Sequence, residues 1–222
     1  MPSRPKLPLL FFDFDNTITL SDVLDRVIER FSRTEAWRDL ESAWQAGRIS
    51  TRECLRGQIG DLRVTEEQLT SFIADVPIDP EFANIVAWAK ISGAELAIVS
   101  DNASVVVRQI LRRHRLVDLQ VFANELTFSG DQPEIRFPYF DAACSTCAHC
   151  KAQHLRRWAG RTRIFVGDGL SDVCPARAAD VVFAKDSLAV ELARRGVAYR
   201  TFHALSDVSQ FLYALHGRES AG

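Results

Sequence analysis

The stretch Leu9–Thr17, LLFFDFDNT, decides the fold of this chain. Its four leading apolar residues predict a strand that is buried on both faces of a parallel sheet. Because a buried charge is costly unless it is paired or bound to a metal, we expect Asp13 and Asp15 at the carboxyl end of this strand. A spacing of two places both carboxylates on one side of an extended chain, where they can bind a cation. On these residues alone, an acidic turn after a strand is an equally good interpretation.

Composition limits the classes of protein that the chain can belong to. Its 222 residues suffice for one sizeable domain with an insertion, and the net charge of −2 gives no basis for binding nucleic acid or a membrane surface. The sequence contains no run of eighteen apolar residues, so no membrane span is expected. The five cysteines are an odd number, and the apolar run near the N-terminus is too short for a signal peptide. We therefore expect a reducing, cytoplasmic environment rather than a disulfide scaffold.

Helical patterns fill the chain from residue 21 to residue 76. Ser21 or Asp22 can cap the first helix, and Ser50–Glu53 and Thr65–Gln68 are typical of further helix starts. Because this helical stretch is too long for a simple crossover between two strands, it predicts an inserted helical cap. The predicted domains are a core of residues 1–20 and 77–222 and an all-helical cap of residues 21–76.

The remaining strands alternate with helices, which predicts an α/β fold: a three-layer, Rossmann-like core with a mostly parallel sheet. Asp101 and Asn102 are interpreted as the start of the helix after the second of these strands. The predicted strands after the first are Ala94–Ser100, Gln120–Phe122, a hairpin of Glu125–Ser129 and Glu134–Phe137, Arg163–Gly167 and Val181–Ala184.

Polar residues that suit phosphate and a hard cation follow several of these strands. Since sites in such sheets form at the carboxyl ends of the strands, we expect these residues to lie together. Carboxylates suit Mg²⁺, whereas hydroxyl groups, backbone N–H groups and lysine suit phosphate oxygens. The residues are Asp13, Asp15 and Thr17 after the first strand, Ser100 after the second, Gly167–Asp172 after a later one, and Lys151 at a helix start.

In this order the residues resemble the haloacid dehalogenase superfamily of phosphohydrolases. The superfamily pattern is DxDx[TV], then Ser or Thr, then Lys, then GDxxxD, and the chain has Asp13–Thr17, Ser100, Lys151 and Gly167–Asp172. The resemblance covers nearly the whole chain, including the position of the helical cap. Asn16 departs from the Gly or Glu that is common in the capped relatives.

The resemblance implies a role for each matching residue. Asp13 is the expected nucleophile, which forms an aspartyl-phosphate, and Asp15 is the expected general acid–base. Ser100, Lys151 and Thr17 are expected to bind the phosphate group. The expected Mg²⁺ ligands are Asp13, the backbone carbonyl of Asp15, and Asp168, with Asp172 and Gly169 in support.

Several of these residues have other interpretations. Ser100 can be a strand-end cap, and Asp172 can be purely structural. Lys185 also follows a strand and competes with Lys151, although it comes too late for the superfamily order. Asp22 either contacts the substrate or only caps its helix.

A dense cysteine run, Cys144–Cys150, directly precedes Lys151. Its thiols can be structural, can form a redox pair of Cys147 and Cys150, or can bind zinc with Cys174 or His154 as a further ligand. The run also resembles one branch of the superfamily, which contains the phosphoethanolamine/phosphocholine phosphatases and the methionine-salvage phosphatase.

Together these features predict a Mg²⁺-dependent phosphomonoester hydrolase acting on a small phosphorylated metabolite. The alternatives are a phosphotransferase on the same scaffold, or a zinc-binding regulatory protein that uses the run Cys144–Cys150. The sequence specifies neither the phosphate ester nor the oligomeric state.

Overall fold

A computed structural model describes residues 7–158 and 160–219, without the side chains of 216–219. Its centre is one seven-stranded sheet in the order β4-β3-β2-β1-β5-β6-β7, in which β4 alone is antiparallel to its neighbour. The strands are β1 (Leu9–Phe12), β2 (Glu95–Ala103), β3 (Gln120–Ser129), β4 (Gln132–Arg136), β5 (Arg163–Gly167), β6 (Val181–Ala184) and β7 (Arg200–Thr201).

The apolar run around which the fold prediction was built forms the central strand β1. It lies between β2 and β5, parallel to both, and its four side chains are at most 3% exposed. Leu10 and Phe12 join one apolar core, and Leu9 and Phe11 join the other, so successive side chains fill opposite faces of the sheet. The predicted three-layer architecture is thereby confirmed.

Ten helices are described. They are α1 (Val23–Phe31), α2 (Ala36–Gln45), α3 (Thr51–Gly60), α4 (Glu66–Phe72), α5 (Glu81–Ser92), α6 (Ser104–Arg113), α7 (Lys151–Arg156), α8 (Val173–Ala176), α9 (Asp186–Arg194) and α10 (Leu205–Glu219), with a 3₁₀ turn at Leu170–Asp172. None of the helices in the described residues is both long enough and apolar enough to cross a membrane.

The insertion after β1 is helical, as predicted, and its helices begin where the capping signals lie. Asp22 caps α1, and capping boxes form at both predicted helix starts, Ser50–Glu53 and Thr65–Gln68. Apolar residues of α1 and α3 enter the same core as Leu10 and Phe12. The division into a cap of residues 21–76 and a core stays a prediction, and residues 1–6, 159 and 220–222 of the predicted core lie outside the described residues.

Two strand boundaries were predicted wrongly. Strand β2 continues through Asp101 and Asn102 to Ala103, so these two residues do not begin the next helix. Strand β3 is continuous over Gln120–Ser129, where two separate strands were expected. Both errors arise because a polar residue in a strand looks like a strand end when its partners, which lie elsewhere in the chain, are unknown.

Candidate active site

Most of the expected site residues line one cavity of about 130 Å³ at the carboxyl ends of β1, β2 and β5, whereas Thr17 and Asp172 lie behind its surface. The name core wall is used for six residues on the sheet side of this cavity, Asp13, Asp15, Ser100, Asn102, Lys151 and Asp168. The helical side also includes the uncharged residues Leu24, Thr51, Cys54, Leu55 and Gln58; the name cap wall is used for its residues Asp22, Asp25, Glu41 and Trp44. A larger cavity of about 500 Å³ lies between α3 and β4, but none of these residues lines it.

Lys151 is the buried centre of the core wall. It is the first residue of α7 and is 1% exposed, and its Nζ lies 2.7 Å from Asp13 Oδ1 and 2.7 Å from Asp172 Oδ1. Asp101 Oδ2 lies 3.5 Å away. Burial opposes the charge of Lys151, but these carboxylates outweigh burial and raise the pKa of the lysine. Lys151 therefore stays charged beside Asp13.

Asp13 follows β1 and is 7% exposed. Its backbone N–H donates to the carbonyl of Val166 at 2.9 Å, which extends the pairing of β1 with β5 by one residue. Burial and the neighbouring Asp172 raise the pKa of Asp13 in spite of the contact with Lys151. Asp13 is thus a carboxylate with a fixed cation and an excess of negative charge around it.

Asp15 is held by both sides of the cavity. Its carboxylate accepts a hydrogen bond from the backbone N–H of Val23 at 2.9 Å and from Asn102 Nδ2 at 3.0 and 3.1 Å. Burial and the nearby Asp22 raise the pKa of Asp15, although these hydrogen bonds lower it. A carboxyl group with a raised pKa suits a general acid near neutral pH.

Asn102 is therefore a site residue that the sequence prediction missed. It was interpreted as the start of a helix, whereas it is 1% exposed at the end of β2 and lines the cavity. The signal was present in the sequence as three consecutive polar residues, Ser100, Asp101 and Asn102, after a buried strand. Asp101, whose backbone carbonyl accepts from Asn124 at 2.6 Å, joins the site through Lys151.

Asp168 follows β5 and is oriented by the residues after Asp15. It accepts hydrogen bonds from Thr17 Oγ1 at 2.6 Å and from Asn16 Nδ2 at 3.0 Å. Burial and Asp172 raise the pKa of Asp168 to about 6. The structure thus places Thr17 on Asp168 and not on the cavity surface, and a phosphate contact for Thr17 stays a prediction.

Asn16 has a backbone φ of 51°, a left-handed conformation that asparagine adopts more readily than most residues. Its amide also donates to Asp186 Oδ2 at 3.0 Å. The departure from the superfamily pattern at this position therefore has a local reason: the residue turns the chain and links two carboxylates.

Asp172 supports the site from inside the protein. It is fully buried; its Oδ2 accepts from the backbone N–H groups of Asp168 at 3.1 Å and Gly169 at 3.3 Å, while its Oδ1 contacts Lys151. A Cβ on Gly167 would overlap Asp172 and lie 2.8 Å from the Phe165 ring, whereas a Cβ on Gly169 would meet nothing closer than 4.0 Å. The steric need for glycine is at Gly167.

Two further predicted residues have clear positions. Ser100 is buried, lines the cavity, and its Oγ accepts a hydrogen bond from the backbone N–H of Asn102 at 3.0 Å. Lys185 is not on the cavity surface and lies 5.4 Å from the Phe202 ring, so Lys151 is the lysine beside Asp13.

The carboxylates of the core wall suit a hard cation. Oxygen atoms of Asp13, Asp168 and Asp172 all lie within 4.8 Å of one another. Asp172 already contacts Lys151 and two N–H groups, which leaves Asp13 and Asp168 with oxygen atoms available for a metal. Burial, and after it repulsion by Asp172, raises the pKa of both groups, and a divalent cation would stabilise their charged forms. The donor set therefore fits Mg²⁺.

The cap wall is acidic as well. Asp22 accepts a hydrogen bond from the Asp25 backbone N–H at 2.8 Å and also lines the cavity, so helix capping and a position at the cavity are both realised. Burial, Asp22 and Glu41 raise the pKa of Asp25 to about 7. Three carboxyl groups thus face the cavity from the helices.

The cysteines do not assemble as their order in the sequence suggests. The Sγ atoms of Cys144, Cys147 and Cys174 form a cluster, while Cys150 is buried apart from it. Contact with Cys147 lowers the pKa of the Cys174 thiol to about 6. His154, proposed as a possible zinc ligand, instead contacts His149 through Nε2 at 2.7 Å.

Comparisons with known proteins assign the chain to a family. The profile of a family described as "Putative Phosphatase" matches residues 8–199. The 2-hydroxy-3-keto-5-methylthiopentenyl-1-phosphate phosphatase of Brevibacillus brevis is 30% identical over 211 residues, which are 92% of this chain and 94% of that protein. The protein of the same name from Exiguobacterium sibiricum is 30% identical over 207 residues, which are 90% of this chain and 94% of that protein.

Solved structures share the fold. A substrate-bound phosphoserine phosphatase complex superimposes with a TM-score of 0.73 and 18% identity, and the match covers 93% of this chain and 98% of that one. A phosphoserine phosphatase with a phospho-aspartyl intermediate analogue gives a TM-score of 0.72, also at 18% identity. At this identity the likeness concerns the fold alone.

Proposed function

This chain belongs to the phosphatase family whose profile spans residues 8–199, within the haloacid dehalogenase superfamily, and we propose that it uses Asp13 as nucleophile and Asp15 as general acid–base. It is a phosphatase that acts on a small phosphorylated metabolite. The observation that carries the assignment of roles is the buried ion pair of Lys151 with Asp13, 2.7 Å long, in a cavity that Asp15 also lines.

In the first step, an Asp13 oxygen attacks phosphorus while the bond from phosphorus to the ester oxygen breaks. Asp15 gives its proton to the departing oxygen, which leaves as an alcohol, and Asp13 becomes an aspartyl-phosphate. In the second step, the Asp15 carboxylate accepts a proton from the water that attacks phosphorus. The bond between phosphorus and the Asp13 oxygen breaks, inorganic phosphate leaves, and Asp13 is again a carboxylate while Asp15 is again protonated.

The chain's own residues prepare these steps. Lys151 holds Asp13 in place and offsets charge on the phosphate, and Ser100 lies on the cavity surface for a phosphate oxygen. Asn102 and the Val23 N–H fix the Asp15 carboxyl group. We propose Mg²⁺ as cofactor, held by Asp13, Asp168 and the Asp15 carbonyl, with Asp172 and Gly169 in support. When bound, Mg²⁺ supplies positive charge between the anionic nucleophile and the anionic phosphate.

Residues 21–76 are proposed to work as a cap that chooses the substrate. The first residue of α1, Val23, donates its N–H to Asp15, so the cap touches the acid–base directly. Closure of the cap over the cavity would exclude water and limit the site to small molecules. The small net charge of the chain agrees with a metabolite rather than a nucleic acid as partner.

The first candidate substrate is 2-hydroxy-3-keto-5-methylthiopentenyl-1-phosphate, the ester named for the two bacterial relatives. A second candidate class is phosphate esters that carry an amine, such as phosphoethanolamine and phosphocholine. The acidic cap wall favours this second class, because a cation would offset Asp22, Asp25 and Glu41 and can stack on Trp44.

A phosphate-release assay with Mg²⁺ tests the proposal on an aryl phosphate and on both substrate classes. We expect Asp13→Asn to lower turnover by at least about 10³-fold, because the amide cannot form the phospho-enzyme. Asp118→Asn is the matched control, since Asp118 is exposed and its left-handed φ of 63° tolerates asparagine. Turnover by the Asp13 variant equal to that of the control would contradict the mechanism.

Two further assays address the alternatives. Transfer of phosphate to an added alcohol faster than to water would identify a phosphotransferase.

The five free thiols agree with the proposed cytoplasmic location, which cell fractionation can test.

A further inference from the structure

Three cysteine sulfur atoms converge where the loop that leads to Lys151 meets α8, although the proposed reaction does not use them. The Sγ atoms of Cys144, Cys147 and Cys174 all lie within 4.8 Å of one another. They come from two segments: the loop before α7 holds Cys144 and Cys147, and α8 holds Cys174. Cys147 is 9% exposed, and the other two are half-buried. This group is called the thiol cluster below.

The spacing of the cluster suits a tetrahedral metal site. With zinc–sulfur bonds of about 2.3 Å, tetrahedral thiolates lie about 3.8 Å apart, so side-chain adjustments of less than about 1 Å would bring the three sulfur atoms to a metal. A disulfide joins only two cysteines and leaves the third without a function. The convergence of three sulfur atoms therefore favours a thiophilic metal over a simple disulfide.

Space for a fourth ligand lies beside the cluster. A cavity of about 370 Å³ is lined by Cys147 and Cys174 together with the hydroxyl-bearing residues Ser145, Thr146 and Ser171. A water molecule or one of these hydroxyl groups can occupy the fourth position, as in zinc sites with three protein ligands.

We propose that Cys144, Cys147 and Cys174 bind one thiophilic divalent cation, best matched by Zn²⁺, separately from the oxygen ligands of the catalytic centre. Cys150 is excluded although it belongs to the same run of sequence. It is 1% exposed, and its sulfur is not part of the cluster.

The position of the cluster gives the metal a consequence for the catalytic site. Lys151 follows the cysteine loop, and Cys174 follows Asp172 by two residues, so a bound metal would tie together the two segments that hold the Lys151–Asp172 ion pair. The same loop is attached to the cap, because the backbone N–H of Thr51 donates to the carbonyl of Thr146 at 2.9 Å. The metal would thus act as a positioning element for Lys151.

Cobalt provides a direct test, because Co²⁺ replaces Zn²⁺ and its spectrum reports sulfur ligation. The full-length protein, freed of metals and reduced with a phosphine, is titrated with Co²⁺ in the presence of excess Mg²⁺, which occupies oxygen sites. We expect one equivalent to produce a near-ultraviolet sulfur-to-cobalt charge-transfer band and the strong visible bands of a tetrahedral complex. One equivalent of Zn²⁺ should then abolish these bands and raise the melting temperature.

Single-cysteine variants separate the spatial cluster from the run in the sequence. Cys174→Ser and Cys144→Ala should each weaken Co²⁺ binding by at least about 100-fold, a loss comparable to or larger than that from removing a supporting residue of a metal site. Cys150→Ala, which also removes one thiol beside Lys151, should keep both affinity and spectrum. If Cys174→Ser does not fold, the half-buried Cys144 provides the same comparison.

Two results would overturn the proposal. One is the absence of a sulfur-to-cobalt band in the reduced wild-type protein. The other is a band that survives in Cys144→Ala but disappears in Cys150→Ala, which would assign the metal to the Cys147–Cys150 pair. The spectrum does not depend on phosphatase activity, so the outcome is independent of the proposed function.

Discussion

The core wall and the cap wall face the same cavity, yet their charges are balanced differently. On the core wall, Lys151 contacts Asp13 and Asp172, and Asp15 and Asp168 accept hydrogen bonds from Asn102 and Thr17. On the cap wall, Asp22, Asp25 and Glu41 face the cavity without an ion pair among those found in the described residues. The core wall is thus preorganised for one reaction, whereas the charge of the cap wall is left for a ligand to offset.

Replacing Lys151, the buried cation of the core wall, is expected to have the largest effect. We expect Lys151→Met to leave the buried Asp13 and Asp172 unpaired and to lower the free energy of unfolding by about 3–5 kcal/mol. Phosphatase activity should fall by roughly 10²–10³-fold, because charge stabilisation of the phosphate is lost. Denaturant titration and phosphate release measure the two effects.

Lys185→Met is the matched control, because Lys185 also follows a strand but lies against Phe202. Lys185→Met should lower the free energy of unfolding by no more than about 1 kcal/mol. Equal effects of the two substitutions would show that the core wall does not depend on its buried cation.

A pair of glycine variants tests how tightly the core wall is packed. In Gly167→Ala, the new methyl group would overlap Asp172 and press on Phe165, so we expect a loss of about 1–3 kcal/mol in unfolding free energy. Gly169→Ala should change stability by less than about 0.5 kcal/mol, because the added carbon meets nothing closer than 4.0 Å. Thermal or denaturant unfolding measures the stability of both variants. If Gly167→Ala were as stable as Gly169→Ala, the predicted overlap at Gly167 would be contradicted.

The hydrogen bonds from Asn102 to Asp15 are expected to make a smaller contribution to catalysis. Asn102→Ala should lower kcat by roughly tenfold, about 1.4 kcal/mol, because Asp15 loses the side chain that orients it. The amide also lowers the pKa of Asp15, so its removal raises that pKa further. Since the general acid must be protonated, the alkaline limb of kcat/KM should move to higher pH. Asn84→Ala, on the exposed face of α5, should leave the pH profile unchanged.

The core wall could be predicted from the sequence because parallel strands bring their carboxyl ends to one edge. Asp13 and Asp168 each follow a strand and Ser100 lies in the last half of β2, and the order of the motifs then identified Lys151. Asn102 and Asp101 were misassigned, because their partners Asp15 and Lys151 are 87 and 50 positions away and leave no local pattern.

The cap wall and the thiol cluster were harder to predict for the same reason. Glu41 comes from α2 and Asp25 from α1, and helical periodicity does not specify which face of an inserted helix turns toward a cavity. Cys174 joins Cys144 and Cys147 only through the packing of α8 near the cysteine loop. Local patterns identified these helices, but their relative placement depends on contacts between distant residues.

The smallest expected effect concerns Asp25, which belongs to the cap wall. Its pKa of about 7 exceeds the ordinary value of 3.8, so the folded protein binds more protons than the unfolded chain between about pH 4 and pH 7. Its contribution to stability is therefore greatest at low pH and is lost as pH rises through 7. Asp25 is exposed to solvent, which screens its charge. The free energy of unfolding should therefore change less steeply with pH than the raised pKa alone implies.

For a phosphate ester that carries an amine, ionisation of Asp25 adds attraction. KM for phosphoethanolamine should fall by roughly two- to fivefold from pH 6 to pH 8, a free-energy change within about 1 kcal/mol. Asp25→Asn should remove this dependence, while its KM for an aryl phosphate that carries no amine should stay close to the wild-type value at every pH. An unchanged pH dependence in Asp25→Asn would place the titrating group elsewhere, and it would remove the reason for expecting the cap wall to select a cation.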